Sequence, residues 1–143
     1  MADALVIGYG NDLRTDDGAG RWVADQIDEM GLDGIEVRSV AQLTPELALV
    51  VAGRDRVVFV DASVDATELT IERVEASGSS SDVMTHHGNP ATLLSMVPQV
   101  GDMPAEAWIV SIPAKDLSMG FEMTATTRAA AGAAVAAIVE LAS

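Results

Sequence analysis

Five side chains in this sequence could bind a metal ion or transfer a proton, and each lies near a predicted strand or helix. They are Asp16, Asp17, Asp61, His86 and His87. The first two belong to the glycine-bracketed segment GNDLRTDDGAG, residues 10–20, which we call the acidic loop. Carboxylate oxygens and a neutral imidazole suit a borderline divalent ion such as nickel or zinc better than calcium or magnesium. Because the chain has no cysteine, such a site would need water or a partner to complete its ligand shell.

Predicted strands and helices that alternate along the chain would position these residues. Short apolar runs or alternating patterns predict strands at 4–9, 34–40, 56–62, 68–75 and 107–113. Helical spacing, caps and helix-favouring prolines predict helices at 18–30, 45–52, 90–96 and 125–142, with Thr44, Asn89 and Thr124 as N-caps. The strand at 68–75 alternates most clearly and is expected at an edge or in antiparallel pairing. The order predicts one domain over residues 1–143 with an α/β fold, a three-layer sandwich whose mostly parallel central sheet is flanked by helices on both faces.

Sites in parallel sheets form beyond the carboxyl ends of the strands. The acidic loop follows the first predicted strand, Asp61 ends the third, and Lys115 follows the strand at 107–113. His86 and His87 follow the Gly/Ser-rich segment before the helix at 90–96. We therefore expect two carboxylates and a histidine imidazole to meet at one edge of the sheet.

Two other kinds of site, a dinucleotide site and a phosphoacceptor pocket, could lie at this edge. A dinucleotide fingerprint needs a third glycine near position 13, which is Leu13, and an acid after the second strand, which ends in Val40. A receiver-like phosphoacceptor pocket would use the acidic pair, Asp61 and Lys115, but its acidic pair follows the first strand directly. Here six residues separate Tyr9 from Asp16, and the receiver interpretation leaves His86 without a role.

Each candidate also has a purely structural interpretation. Asp16 or Asp17 could cap the following helix, whose dipole favours negative charge at its N-terminus. Asp61 could bind neighbouring loop amides, Asn11 could support a turn, and one or both histidines could be solvated. Residue by residue these alternatives stay open, so only the combination points to a site.

The combined pattern resembles the [NiFe]-hydrogenase maturation endopeptidases over nearly the whole chain. GxGNxLxxDDGxG follows the first strand, FVDA lies at the third, and THHGNPATLL leads into a helix. The segment SMGFEMT also resembles the family's glycine-containing segment before the last helix. One departure is the short length of the connections between elements.

The resemblance implies a metal site and a reaction. Matched by position, the metal ligands are Asp17, Asp61 and His86, and Asp16 matches the family's neighbouring acid. On chemical grounds either Asp16 or Asp17 could act as the general base, so these two are the predicted catalytic residues. Gly10 and Asn11 match the supporting loop. The implied enzyme is a nickel-dependent endopeptidase that removes a C-terminal extension from a [NiFe]-hydrogenase large-subunit precursor after nickel insertion. Nickel would be carried by the substrate, and zinc or another divalent ion could substitute. The alternative from a different class is a nickel-binding accessory protein of the same fold without hydrolysis.

Composition restricts the partners. The net charge is −14, with Lys115 the only lysine, and such a surface repels nucleic acid and anionic membranes. The N-terminus lacks the basic region of a signal peptide, and no apolar run is expected to approach the roughly 18 residues of a membrane span. These features predict a cytoplasmic protein with no nucleic-acid partner and no membrane partner. The resemblance implies the precursor as the partner, and we expect the protein to be a monomer.

Overall fold

The computed structural model describes residues 3–75, 89–120 and 122–143 of the chain. Its strands are β1 (Ala4–Tyr9), β2 (Ile35–Val40), β3 (Arg56–Ser63), β4 (Thr70–Arg73) and β5 (Glu106–Pro113). Its α-helices are α1 (Ala19–Glu29), α2 (Ala48–Val51), α3 (Pro90–Met96) and α4 (Ala125–Ala142). Short 3₁₀ turns lie at Thr15–Gly18, Pro45–Leu47 and Val97–Gln99. The predicted strands are all present, with ends that differ by at most two residues.

The five strands form a single sheet in the order β2-β1-β3-β5-β4. β1 pairs in parallel with β2 and β3, and β3 pairs in parallel with β5. β4 pairs with β5 in antiparallel fashion at the edge, which confirms the expectation for the strand at 68–75. This order departs from the 2-1-3-4-5 order of receiver-like folds.

Helices cover both faces of the sheet, as the sequence predicted. Alternate residues of a strand point to opposite faces, so β1 and β3 supply two hydrophobic cores. Leu5 and Phe59 are buried with residues of α2 and α3 on one face. Val6 and Val60 are buried with residues of α1 and α4 on the other. The three-layer α/β sandwich is therefore confirmed.

Two of the three predicted helix caps are present. The Asn89 side chain accepts a hydrogen bond from the Thr92 backbone N–H at 2.8 Å, and the Thr124 hydroxyl accepts one from the Thr127 N–H at 3.4 Å. The prediction for Thr44 is wrong, because its side chain makes no capping hydrogen bond. The predicted helix at 45–52 is also split, with a 3₁₀ turn preceding a single turn of α-helix.

The C-terminal helix α4 corrects the expectation about apolar runs. Its 18 residues are long and apolar enough to cross a membrane by length and composition alone. This is weak evidence for a span, because the core helix of a globular domain meets the same test. Ala131, Ala134 and Ile138 are fully buried in the core that α4 shares with α1 and β5, as expected of a core helix.

Candidate active site

The acidic loop and Asp61 lie at the same edge of the sheet because β1 and β3 are adjacent and parallel. Gly8 in β1 is paired with Val60 in β3, one residue before Asp61. The acidic loop leaves β1 at this level and turns back into α1 through the 3₁₀ turn that contains both adjacent aspartates. The predicted meeting of the two strand ends is thus observed.

Two glycines allow the start of α1 to lie directly against these strands. A Cβ atom added to Gly8 would lie 2.2 Å from the carbonyl oxygen of Gly20, and one added to Gly20 would lie 2.4 Å from that of Val60. Real side chains do not tolerate such distances, so the glycines set how closely the acidic loop approaches β3. This close approach brings Asp17 near Asp61.

Asp17 is held by the beginning of its own loop. Its Oδ2 accepts a hydrogen bond from the Asn11 backbone N–H at 2.9 Å, while the Asn11 side chain accepts one from the Leu13 N–H at 2.9 Å. Gly10 has a φ of 144°, and an added Cβ would lie 2.1 Å from the Asp17 carbonyl oxygen. Gly10 and Asn11 therefore lie where the sequence predicted a supporting loop.

Asp61 interacts with both Asp17 and Tyr9. Burial, and to a lesser degree the negative charge of Asp17, raises the pKa of Asp61 to about 6. Hydrogen bonds from the Tyr9 hydroxyl and the Ala62 N–H act in the opposite direction. Burial and the charge of Asp61 raise the pKa of Tyr9 well above its usual range, so this hydroxyl remains a donor. Asp61 thus belongs to an interacting group with a carboxylate on one side and a phenol on the other.

Asp16 lies in a different environment from Asp17, although the two are adjacent in the chain. Its side chain is fully buried, and no arginine or lysine forms an ion pair with it among the described residues. It accepts hydrogen bonds from the Lys115 N–H at 2.7 Å, the Asp116 N–H at 2.9 Å, and the Thr124 N–H and hydroxyl at 2.7 and 2.9 Å. Burial alone would raise the pKa of Asp16, but these hydrogen bonds outweigh it and hold the pKa below its usual value.

The capping interpretation of Asp16 is therefore wrong. Neither the 3₁₀ turn nor α1 receives a side-chain capping hydrogen bond, and the Asp16 oxygens instead bind donors about 100 residues later in the chain. The catalytic role predicted for Asp16 stays a prediction, and this environment does not favour it.

The two histidines, His86 and His87, lie outside the described residues, so the predicted ligand His86 stays a prediction. Within residues 3–75, 89–120 and 122–143, no group of three or more histidine, cysteine, aspartate or glutamate residues could hold a metal ion. The described part of the site is the carboxylate pair Asp17 and Asp61. Neither of the two forms an ion pair with a described arginine or lysine, so their negative charge remains available to a cation.

Sequence reasoning missed two residues of this region. The sequence patterns predict Tyr9 only as the end of the first strand, although the last residue of a parallel strand lies at the site edge. They predict Thr124 only as a helix cap, whereas it also binds Asp16 with both its N–H and its hydroxyl. A polar residue directly before a helix, at the end of a segment already matched to the site, was the signal available for Thr124.

The comparison with solved structures agrees with this geometry. The chain is similar to the hydrogenase maturating endopeptidase HybD from E. coli, with 21% identity over 96% of this chain and 90% of that chain and a TM-score of 0.76. It is similar to a hydrogenase 2 maturation peptidase from a Thaumarchaeota archaeon, with 26% identity over 96% of both chains and a TM-score of 0.69. It is also similar to the [NiFe] hydrogenase maturation protease HycI from Thermococcus kodakarensis, with 19% identity over 99% of this chain and 92% of that chain and a TM-score of 0.75. No family model matches the sequence, and no curated protein matches it.

These similarities extend over almost the full length of each chain. They confirm the resemblance predicted from the sequence motifs: the chain has the fold of the hydrogenase maturation endopeptidases.

Proposed function

We propose that this chain, which has the fold of the hydrogenase maturation endopeptidases, is itself such an enzyme. It would remove the C-terminal extension of a [NiFe]-hydrogenase large-subunit precursor after nickel insertion. The observation that carries the proposal is the Asp17–Asp61 pair at the carboxyl ends of β1 and β3, where the charge of one carboxylate acts on the other. Such a concentration of uncompensated negative charge at a sheet edge is suited to a cation.

The cation in this proposal is the nickel of the precursor, and it is therefore part of the substrate. Asp17 and Asp61 would ligate it through oxygen, with His86 as the predicted nitrogen ligand. Both described carboxylates are partly exposed, so a metal presented by another protein could reach them. Bound nickel would supply Lewis acidity, which polarises a carbonyl group or lowers the pKa of water. Zinc or another divalent ion could take its place.

The chain's own residues would orient the carboxylates and accept a proton. The Asn11 N–H holds Asp17 Oδ2, and within the described residues no donor contacts Asp17 Oδ1, which is left to accept a proton from water. The Tyr9 hydroxyl orients Asp61. The general base, left open between Asp16 and Asp17 by the sequence, is assigned to Asp17 because the Asp16 oxygens already accept four hydrogen bonds.

Incubation of the purified chain with nickel-loaded large-subunit precursor tests the activity directly. Mass spectrometry should show loss of the C-terminal extension with the wild type and with Asp28→Asn, an exposed carboxylate near the end of α1. Asp17→Asn should leave the precursor uncut. An unchanged precursor mass with the wild type would overturn the protease proposal.

Calorimetric titration separates ligation from hydrolysis. Nickel should bind the wild type and Asp28→Ala more tightly than Asp17→Ala, and equal binding by all three would exclude Asp17 as a ligand. Nickel binding together with an uncut precursor would favour the accessory-protein alternative over the enzyme.

A further inference from the structure

We propose that Asp16 is a positioning residue that fastens the acidic loop to Lys115, Asp116 and Thr124 and so holds Asp17 beside Asp61. This inference rests on the proposed function, because Asp17 matters to catalysis only if the chain is an endopeptidase. Asp16 itself would touch neither substrate nor metal.

The four donors around Asp16 require a carboxylate. Three of them, the Lys115 N–H, the Asp116 N–H and the Thr124 hydroxyl, bind Oδ2, while the Thr124 N–H binds Oδ1. Hydrogen bonds to an ionised acceptor are about twice as strong as neutral ones. An asparagine has a single acceptor oxygen, so its NH₂ group would face at least one of these donors at a position that is fully buried.

Backbone hydrogen bonds at Asp16 and at the residues just before it continue the same attachment. The Thr15 N–H donates to the Gly120 oxygen at 2.9 Å, and the Gly120 N–H donates to the Leu13 oxygen at 2.9 Å. The Asp16 N–H donates to the Asp116 oxygen at 2.9 Å. The acidic loop is thus bonded to residues 115–120 and to Thr124 immediately before Asp17. Among the described residues, Asp16 is the only member of this contact to contribute a buried carboxylate.

The backbone at Thr15 indicates that this attachment determines the loop conformation. Thr15 has a φ of 45°, a left-handed conformation that is unfavourable for a β-branched residue and persists only where the surroundings impose it. Its hydroxyl donates to the Ser118 oxygen at 2.6 Å. The Asp17 side chain accepts a single hydrogen bond from the described residues. Its position therefore depends on the acidic loop, which is held in place by the contacts of Thr15 and Asp16.

The test compares Asp16→Asn with Asp28→Asn in the full chain. In Asp16→Asn, amide hydrogen exchange at Lys115 and Thr124 should accelerate by about 10-fold or more, because their acceptor is lost. Cleavage of nickel-loaded precursor should slow on the order of 10-fold to 100-fold in kcat with little change in KM, since misplacement of a catalytic group has effects of that size. The acidic limb of the pH–rate profile should keep its wild-type midpoint, because Asp16 is not the titrating base.

Two outcomes would overturn the positioning role. Wild-type kcat in Asp16→Asn would show that Asp16 serves stability alone, whereas complete loss of cleavage with unchanged amide exchange would make Asp16 a catalytic residue. If the wild type does not cleave the precursor, the proposed function fails, but amide exchange still reports whether Asp16 fastens the loop.

Substitutions at Thr124 keep the proposal testable if Asp16→Asn does not fold. Thr124→Ser retains the N–H, the hydroxyl and the cap, and should behave as the wild type. Thr124→Ala removes the hydroxyl donor and should accelerate amide exchange within the acidic loop and lower kcat. Equal exchange and equal kcat in the two variants would contradict the proposal.

Discussion

Asp16 and Asp17 are adjacent in the chain, but the Asp16 carboxylate accepts hydrogen bonds from residues far along the chain, whereas the Asp17 carboxylate accepts one from its own loop. Asp16 accepts the Thr124 N–H at 2.7 Å, from 108 residues later, whereas Asp17 accepts the Asn11 N–H at 2.9 Å, from six residues earlier. Asp16 is fully buried, and Asp17 is partly exposed and interacts with Asp61. The same residue type thus serves two purposes, because the turn directs one side chain into the structure and the other toward the sheet edge.

The raised pKa of Asp61 predicts a pH-dependent stability. Asp61 titrates near 3.8 when unperturbed and at about 6 in the folded chain, so the folded state binds its proton more tightly. The folded state is therefore favoured at low pH, and this advantage is lost as the pH rises through about 6. Asp61→Asn should be more stable than the wild type at pH 7 by roughly 1–3 kcal/mol, with the difference fading toward pH 4.

Urea unfolding of metal-free protein at several pH values between 4 and 8 measures this effect. Asp28→Asn, at an exposed position of α1, is the control. A variant at Asp61 that is no more stable than the wild type at pH 7 would show that burial does not penalise this carboxylate.

Tyr9→Phe should raise the pKa of Asp61 further. The Tyr9 hydroxyl donates a hydrogen bond that lowers this pKa, and its loss removes a stabilising contact of the ionised form. We expect an upward shift of about one unit or less, corresponding to a hydrogen bond to a charged group. NMR titrations of the Asp61 carboxyl carbon in the wild type and in Tyr9→Phe check this. An unchanged or lower midpoint would contradict the assigned hydrogen bond.

Alanine substitutions at two glycines should change the stability in opposite directions, because only one of the two lies where α1 contacts the sheet. Gly20→Ala would place a Cβ 2.4 Å from the Val60 oxygen, so it should destabilise the fold by roughly 1–3 kcal/mol or more. Gly132 in α4 has nothing within 4 Å of its added Cβ, and Gly132→Ala should stabilise by about 0.5–1 kcal/mol. Urea unfolding of both variants tests this. Equal effects would mean that the packing of α1 against β3 is looser than described.

Removal of nickel from the precursor should abolish its cleavage. The proposed site contributes two described carboxylates, and we expect the metal to be required for binding or for reaction. Precursor prepared without nickel should keep its mass under conditions in which nickel-loaded precursor is cut, and readdition of nickel to the precursor should restore cutting. Equal cutting of both forms would remove nickel from the proposed reaction.

Much of the fold could be predicted because its signals are local. A short apolar run ended by glycine predicted β1 with its observed ends, and Asn89 followed by proline predicted α3 with its observed ends. The prediction for Thr44 failed because a capping residue and a proline permit a 3₁₀ turn as readily as an α-helical one. The helix predicted at 125–142 is present. The expectation that no apolar run approaches the length of a membrane span failed, because an alanine-rich core helix has the composition of such a span.

The order of the elements, and the edge of the sheet where the candidate residues meet, could be predicted from the amino-acid sequence. Apolar periodicity and caps are properties of neighbouring residues. Together with the rule that alternating strands and helices form a parallel sheet, they place the acidic loop and Asp61 at the same sheet edge. Which of the adjacent aspartates is buried, and which interacts with Asp61, depends on long-range contacts that the fold creates. The donors to Asp16 belong to Lys115, Asp116 and Thr124. The spacing of neighbouring residues gives no indication of a contact across about 100 residues of chain.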